Sequence, residues 1–408
     1  MSLRVGLPTG SEAKRRLPLL ARILIAIAAG VLLGRMLPEW VVAVFTTFNS
    51  VFSSYLKFLI PLIIVGLVLP AIADIGRSAG RLLLVTVCIA YGSTVLSGFF
   101  SYGVSATVFP HLITPSSALT AIENGTASIA PYFTLAIPPV LDVMSALVFA
   151  FVAGLGMAYL GLPRMKGVAD DFKTLVERTI GVSVIPLLPL YIFGIFLEMT
   201  RTGQAFHILV TFAAIIGVIF AMHLLLLLVQ YFVAGLVVRR NPLRLLATML
   251  PAYFTALGTS SSAATIPVTK MQAVKMGVSE EIASFTVPLC ATIHMSGSCM
   301  KITACAVALM LMQGLPFTTL MFVGFVLMLG VMMVASPGVP GGAIMASLGV
   351  LASILGFSEA DCALMIALYI AMDSFGTACN VTGDGAISLV VDKIHSSATG
   401  LSVRDDNF

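Results

Sequence analysis

The sequence predicts an all-α membrane protein, and three observations carry that prediction: its composition, the recurrence of long apolar runs, and two runs broken by small polar residues. Of the 408 residues, 59% are apolar and only 10% are charged, with a mean hydropathy of +1.07. A soluble domain carries about 25% charged residues. A helix needs roughly 20 apolar residues to cross about 30 Å of hydrocarbon, and such stretches recur from Leu17 almost to the C-terminus.

Apolar runs between polar breaks predict helices over 18–36, 46–73, 82–109, 131–161, 172–200 and 205–238. The first reads as a retained span, because no small-residue cleavage site follows it. After Arg239 and Arg240 the pattern changes. Ser, Thr, Gly and Pro interrupt the run YFTALGTSSSAATIPVT, from Tyr253 to Thr269, and the run VMMVASPGVPGGAIM, from Val331 to Met345. Backbone that leaves helical form at membrane depth persists only where it is buried in protein or lines a polar cavity. Two such breaks point to a solute site and to the inverted repeats of a secondary transporter.

With the N-terminus inside, Lys14, Arg15, Arg16, Arg22, Arg77, Arg81, Arg164, Lys166, Lys173, Arg178, Arg239, Arg240, Arg244, Lys270, Lys275, Lys393 and Arg404 fall on the cytoplasmic side. Arg35 and Arg201 fall outside. This skew obeys the positive-inside rule when 242–272 and 316–356 enter and leave on one side as re-entrant hairpins. The expected arrangement is eight transmembrane helices plus two re-entrant helical hairpins, multi-pass in the plasma (inner) membrane, with both termini cytoplasmic. The formal charge of +4 then reports orientation and gives no ground for a nucleic-acid partner. Cys88, Cys290, Cys299, Cys305, Cys362 and Cys379 lie in apolar segments without metal-ligand spacing, and read as small packing residues. No His-Glu-x-x-His, phosphate-binding glycine loop or nucleophile–base–acid set is present, so no enzyme activity is expected.

Asp373 and Asp384 interrupt the apolar stretch from Leu364 to Val391. An acid at bilayer depth costs about 2.5–3.5 kcal/mol, which argues for a function. Asp373, Thr377, Asn380 and Asp384 are spaced to share one face of a helix. Lys301, in the apolar run CMKITACAVALM, follows His294 by seven residues and would share its face. The plainer alternative for these groups is hydrogen bonding between neighbouring helices, with Lys301 snorkelling or neutralising an acid. Asp142, Glu198, His111, His207 and His223 read as packing, interface or scaffold groups.

Four motifs in order carry a resemblance: Ser260-Ser261-Ser262 with Thr265-Ile266-Pro267-Val268-Thr269, the run from Phe285 to Ile293, Gly338-Val339-Pro340-Gly341-Gly342, and Asn380-Val381-Thr382-Gly383-Asp384. On these the chain resembles the dicarboxylate and amino-acid:cation symporter family, the glutamate transporter homologues. The match is best from about residue 255 to 395; the N-terminal half matches by pattern and by Lys57. The resemblance implies a homotrimer in membrane lipid that works as an elevator. Scaffold helices would occupy 1–81 and 131–204, a mobile transport domain 82–130 and 205–395, and a cytoplasmic tail 396–408.

The resemblance further implies symport of an amino acid or dicarboxylate with Na+ or H+, and no other cofactor. At the substrate it places Ser261, Ser262, Ser298, Val339, Gly341, Asp373, Thr377 and Asn380, with Asp373 on an amino group and the hairpin tips on a carboxylate. At the coupling cation or proton it places Thr292, His294, Met295, Ser296, Lys301, Asn380 and Asp384, with Asn380 and Asp384 matching sodium ligands.

Three departures qualify this picture. His294-Met295-Ser296-Gly297-Ser298 stands where the family has Asn-Met-Asp-Gly-Thr, and imidazole is a poor ligand for a hard cation. A histidine, with an unperturbed pKa of about 6.5, suits a proton relay instead. Gly376 stands where carriers of acidic amino acids place an arginine, which ranks neutral amino acids ahead of acidic ones and dicarboxylates. Lys301 is the third: its ammonium is expected to replace a missing cation, or to pair with Asp373, Asp384 or an anionic substrate. Loss of sodium ligands also motivates the alternative of an uncoupled facilitator or exchanger.

Overall fold

The computed structural model describes residues 19–77, 81–113, 129–201, 205–336 and 341–399, and their regular structure is helical. The first half runs through α1 (Leu19–Leu33), α2 (Glu39–Arg77), α3 (Arg81–Leu112), α4 (Val143–Leu160), α5 (Pro163–Thr179), a π turn, α6 (Ile185–Arg201) and α7 (Ala205–Val238). The second half comprises α8 (Pro242–Thr259), α9 (Ser262–Lys275), α10 (Glu280–Ile293), α11 (Ser296–Gln313), α12 (Thr319–Ala335), α13 (Gly342–Leu355), α14 (Glu359–Ala371) and α15 (Asp373–Thr399).

Among the described residues, Glu39–Ala73, Leu82–Leu112, Pro163–Arg201, Leu209–Val238 and Glu280–Gln313 are each long and apolar enough to cross a membrane. The pair α14 and α15, bent by 64°, makes a sixth when taken together. Leu224, Leu225, Leu228 and Phe232 of α7 and Leu24 and Ile25 of α1 are exposed, an apolar surface suited to lipid.

Two predicted helices shift. The one expected over 131–161 begins only at Val143. Pro131, Pro138 and Pro139 lack amide donors and push their predecessors out of helical backbone. The irregular segment lies on α2, with Tyr132 N donating to Thr47 Oγ1 at 2.9 Å. Asp142 accepts from Ser145 N at 3.0 Å and so caps α4. The helix expected over 172–200 starts earlier, at Pro163, whose fixed φ suits the first turn; its first half is amphipathic and polar on balance, and so lies outside an apolar run.

Small residues set the closest contacts. Gly30 of α1 and Gly34, in the turn that follows it, meet α6: a Cβ at Gly34 would stand 2.5 Å from Thr200 Cβ, and one at Gly30 2.9 Å from Phe193 O. This is the small-xxx-small contact that lets membrane helices approach. Helix α2 packs on α4 and α5, and α3 lies along α11. A core around Tyr231, Met249, Val287 and Val381 joins α7, α8, α10 and α15.

The interrupted runs form two helical hairpins, α8 with α9 and α12 with α13. Asn241 caps α8, accepting from Leu243 N and Arg244 N, and Thr318 caps α12 through Met321 N. Two further helices break. Helix α10 ends at Ile293, His294 is extended (φ −104°, ψ 106°), and α11 resumes at Ser296. Lys301 therefore does not share a helical face with His294, contrary to the seven-residue spacing. The last span, expected to be continuous, breaks at Met372, so that Asp373 opens α15.

Gly34→Ala is expected to lower the thermal unfolding midpoint of the detergent-solubilised protein, by an overpacking cost of about 1–3 kcal/mol. Gly156→Ala on α4, where a Cβ meets nothing within 4 Å, is expected not to lower it.

Candidate functional site

Helices α9, α11, α13 and α15 all begin around Asp373 and Asn380, so their N-terminal amides point into one region. The first hairpin turns at Ser260, which is left-handed (φ 51°), while Ser261 caps α9 by accepting from Ala264 N. Ser260 Oγ meets Ser374 Oγ at 2.7 Å, which brings the serine tip beside Asp373. From the second hairpin, Gly341 N donates to Asp373 Oδ2 at 2.9 Å. Gly341 has φ 76°, a conformation that glycine adopts without steric cost. Helix N-termini attract carboxylates, and the Asp373 carboxylate is an acceptor, so anion-attracting backbone and an acidic side chain lie side by side here.

Lys301, entirely buried on α11, reaches Asp373. Its Nζ lies 3.5 Å from Asp373 Oδ1, 3.3 Å from the carbonyl oxygens of both Tyr369 and Met372, and 3.4 Å from the centre of the Tyr369 ring. Gly376 makes room for it: a Cβ there would stand 2.9 Å from Lys301 Nζ. A side chain at 376 and the ammonium of Lys301 compete for one space.

Asn380 bridges α15 to the start of α11. Its Oδ1 accepts from Gly297 N at 2.8 Å and Ser298 N at 3.3 Å, and its Nδ2 donates to Ser298 Oγ. Ser298 Oγ also meets Tyr369 OH at 3.1 Å. Asn380 thus caps a neighbouring helix, a use of its oxygen that sequence spacing does not reveal. Thr377 is buried and returns its hydroxyl to Asp373 O. Ser262 is buried at the start of α9. Thr292 is exposed, with its hydroxyl on Leu289 O. Val339 lies outside the described residues.

One helical stretch away, His294 and Asp384 form a second buried pair, Nδ1 to Oδ1 at 2.8 Å. The other ring nitrogen, Nε2, meets Ser93 Oγ at 3.1 Å; with a single ring proton on Nδ1, His294 donates to Asp384 and accepts from Ser93. Gln230 Nε2 donates to Ser93 Oγ and to Ser296 Oγ, completing one consistent chain of donors. Met295 N donates to Thr94 Oγ1. Asp384 Oδ2 has no hydrogen-bond partner among the described residues. A cleft of about 390 Å³ between α3, α7 and α15 reaches this pair through Ser93, Gln230 and Gly383.

Sequence reasoning missed the contribution of α3 and α7. Ser93, Ser97 and Ser101 recur every fourth residue on one face of α3. They meet His294 and the carbonyls of Ser296 and Met300 respectively. That serine stripe was a legible signal. His223 was read as a packing or scaffold group; it is buried on α7 against Gly297 O at 3.3 Å, beside the α11 N-terminus. The side chain of His207 lies outside the described residues.

The profile of the sodium:dicarboxylate symporter family matches residues 19–394. A serine/threonine transporter of Acinetobacter baumannii, SstT, is 28% identical over 397 residues, covering 92% of this chain and 97% of its own length. Excitatory amino acid transporter 3 of Mus musculus is 29% identical over 261 residues, covering 62% of this chain and 49% of its own length.

Asn380→Ala leaves two amides of α11 without their acceptor, at about 1–3 kcal/mol for each buried donor. The expected outcome is a lower unfolding midpoint even without solute, largely recovered in Asn380→Asp, which keeps an acceptor oxygen; thermal unfolding followed by tryptophan-independent light scattering measures both.

Proposed function

Because the chain belongs to the sodium:dicarboxylate symporter family, we propose that it carries a neutral amino acid of serine or threonine size, with Na+ or H+, across the plasma (inner) membrane. It is a cation-coupled transporter and not an enzyme. The observation that carries the choice of substrate is at Asp373. The serine tip and Gly341 converge there, position 376 has no side chain, and the ammonium of Lys301 is already directed at three acceptors. A zwitterion finds an acceptor for its ammonium and helix N-termini for its carboxylate. A second carboxylate finds no uncommitted cation in this part of the site. The name of the Acinetobacter relative, a serine/threonine transporter, supports the same reading.

In this reading Asp373 receives the amino group. Ser261, Ser262, Ser298, Val339, Gly341, Thr377 and Asn380 surround the rest of the solute. Residues 242–275 and 319–355 are re-entrant hairpins among eight transmembrane helices, with both termini cytoplasmic. A homotrimer held in lipid presents its scaffold, 1–81 and 131–204, to a transport domain of 82–130 and 205–395 that moves as an elevator, and 396–408 forms a cytoplasmic tail. The cation or proton is coupled around Thr292, His294, Met295, Ser296, Asn380 and Asp384. A specific observation favours a second reading, an uncoupled facilitator or exchanger. His294 engages Asp384 Oδ1 and backbone amides engage Asn380 Oδ1, oxygens on which a sodium site would draw.

Uptake by purified protein in liposomes, under an imposed sodium gradient, an imposed proton gradient or neither, tests both. The expected result is gradient-driven accumulation of serine-sized neutral amino acids, weakly inhibited by glutamate and C4-dicarboxylates. Equilibration without accumulation under every gradient selects the facilitator. Asp373→Asn is expected to weaken amino-acid binding at least ~30-fold, the low end of the cost of truncating a buried charge pair, as read by titration calorimetry.

A further inference from the structure

We propose that Lys301 is a tethered monovalent cation: its ammonium occupies a cation site made by the end of α14, the Asp373 carboxylate and the Tyr369 ring, so that no dissociable cation is needed there.

The shell around Nζ is one that suits a cation. The carbonyl oxygens of Tyr369 and Met372, each at 3.3 Å, belong to the last turn of α14 and its cap. A helix C-terminus carries partial negative charge, and α14 ends inside the protein, where water does not meet those carbonyls. Asp373 Oδ1 at 3.5 Å supplies the formal charge, and the face of the Tyr369 ring closes one side at 3.4 Å. An ammonium has three donors, and three oxygen acceptors are present. Broken helices in transporters use such C-terminal ends to hold cations. Here the chain's own side chain arrives first.

The surroundings are shaped for that arrival. Gly376, one turn into α15, leaves the space that the ammonium fills. Lys301 is fully buried along its length, so it does not snorkel to an interface. Because its donors are directed at protein oxygens, it is a positioning residue and not a substrate contact. It orients Asp373, whose other oxygen holds Gly341 N, and it cancels the carboxylate's charge. An unpaired carboxylate in this interior would carry a penalty of several kcal/mol. A tethered partner removes that penalty at every stage, whether or not a solute is bound. The inference rests on the reading of Asp373 as the substrate carboxylate only for its consequence in transport, and its test does not use transport.

The test is chemical rescue of stability. Lys301→Ala empties the shell, and its unfolding midpoint is measured in choline, sodium, potassium, ammonium and methylammonium chloride at equal ionic strength. The wild type supplies the baseline: it is expected to gain nothing from ammonium or methylammonium over choline, and any sodium shift it shows at the coupling site is subtracted from the variant's. Lys301→Ala is expected to unfold several degrees lower in choline and to recover in at least one small cation, with methylammonium favoured by the space left along the lysine stem. Lys301→Met, which fills that space, is expected to recover less. A folded Lys301→Ala whose midpoint shifts between the five salts only as the wild type's does overturns the proposal. If Lys301→Ala does not fold in any salt, Lys301→Ala with Asp373→Asn decides. A folded, salt-indifferent double variant supports charge replacement; a double variant that also fails to fold assigns Lys301 to packing and overturns it. None of these results alters the liposome assay, so failure here leaves the amino-acid symporter reading intact, and failure of uptake leaves the cation site intact.

Discussion

Helices that stop inside an apolar interior leave amides and carbonyls that water cannot satisfy, and most of this site follows from how the protein meets that constraint. The start of α11 is capped by Asn380 from α15. Gly341, at the start of α13, donates to Asp373. The end of α14 gives its carbonyls to Lys301 on α11. Each broken end is served by a side chain from a different element, so the breaks are mutually dependent. Removing Asn380 or Asp373 takes the acceptor from a buried amide of another helix, whereas Tyr369 O keeps Met372 N and Met372 O keeps Phe375 N and Gly376 N.

Charge follows the same logic. Two of the three acids on α15 meet basic side chains from earlier in the chain, Asp373 with Lys301 and Asp384 with His294, while Asp392 accepts from Ser279 Oγ. The gain from such pairs is offset by desolvation, so they are weak evidence for stability and better evidence for a task. The two pairs differ in kind. Lys301 and Asp373 have oxygen and π partners around them, at the junction of both hairpins. His294 and Asp384 sit in a chain of hydroxyl and amide donors that leads through Ser93 to a cleft.

Glycines decide where these side chains fit. On α15 an added Cβ at Gly376 would meet Lys301 Nζ at 2.9 Å, at Gly383 it would meet His294 Cε1 at 2.7 Å, and at Gly385 it would meet Tyr231 OH at 2.9 Å. Gly297 lets the start of α11 approach α15, with Cys379 Cβ and Gly376 O each 2.7 Å from its missing Cβ. The polar face of α15 is therefore cut to receive groups from α7, α10 and α11. The same device, Gly30 and Gly34 against α6, joins the first-half helices.

Hydropathy alone determined that the chain is a multi-helix membrane protein, because apolar runs of this length have no other stable setting. The Ser, Gly and Pro interruptions marked both hairpins, and the acids of the last span stood out because charge at that depth is costly. The prolines at 131, 138 and 139 carry a local signal against helix before Val143, and the four-residue serine repeat of α3 carries one for its contact with α11. Other features had no local signal. The breaks at His294 and Met372 carry no proline, and at the first the freed amides of Gly297 and Ser298 are met by the distant side chain of Asn380. That His294 pairs with Asp384, that Lys301 pairs with Asp373, and that Asn380 caps α11 were decided only by tertiary structure, since each contact joins residues about 70 to 90 positions apart whose meeting depends on packing and not on local periodicity.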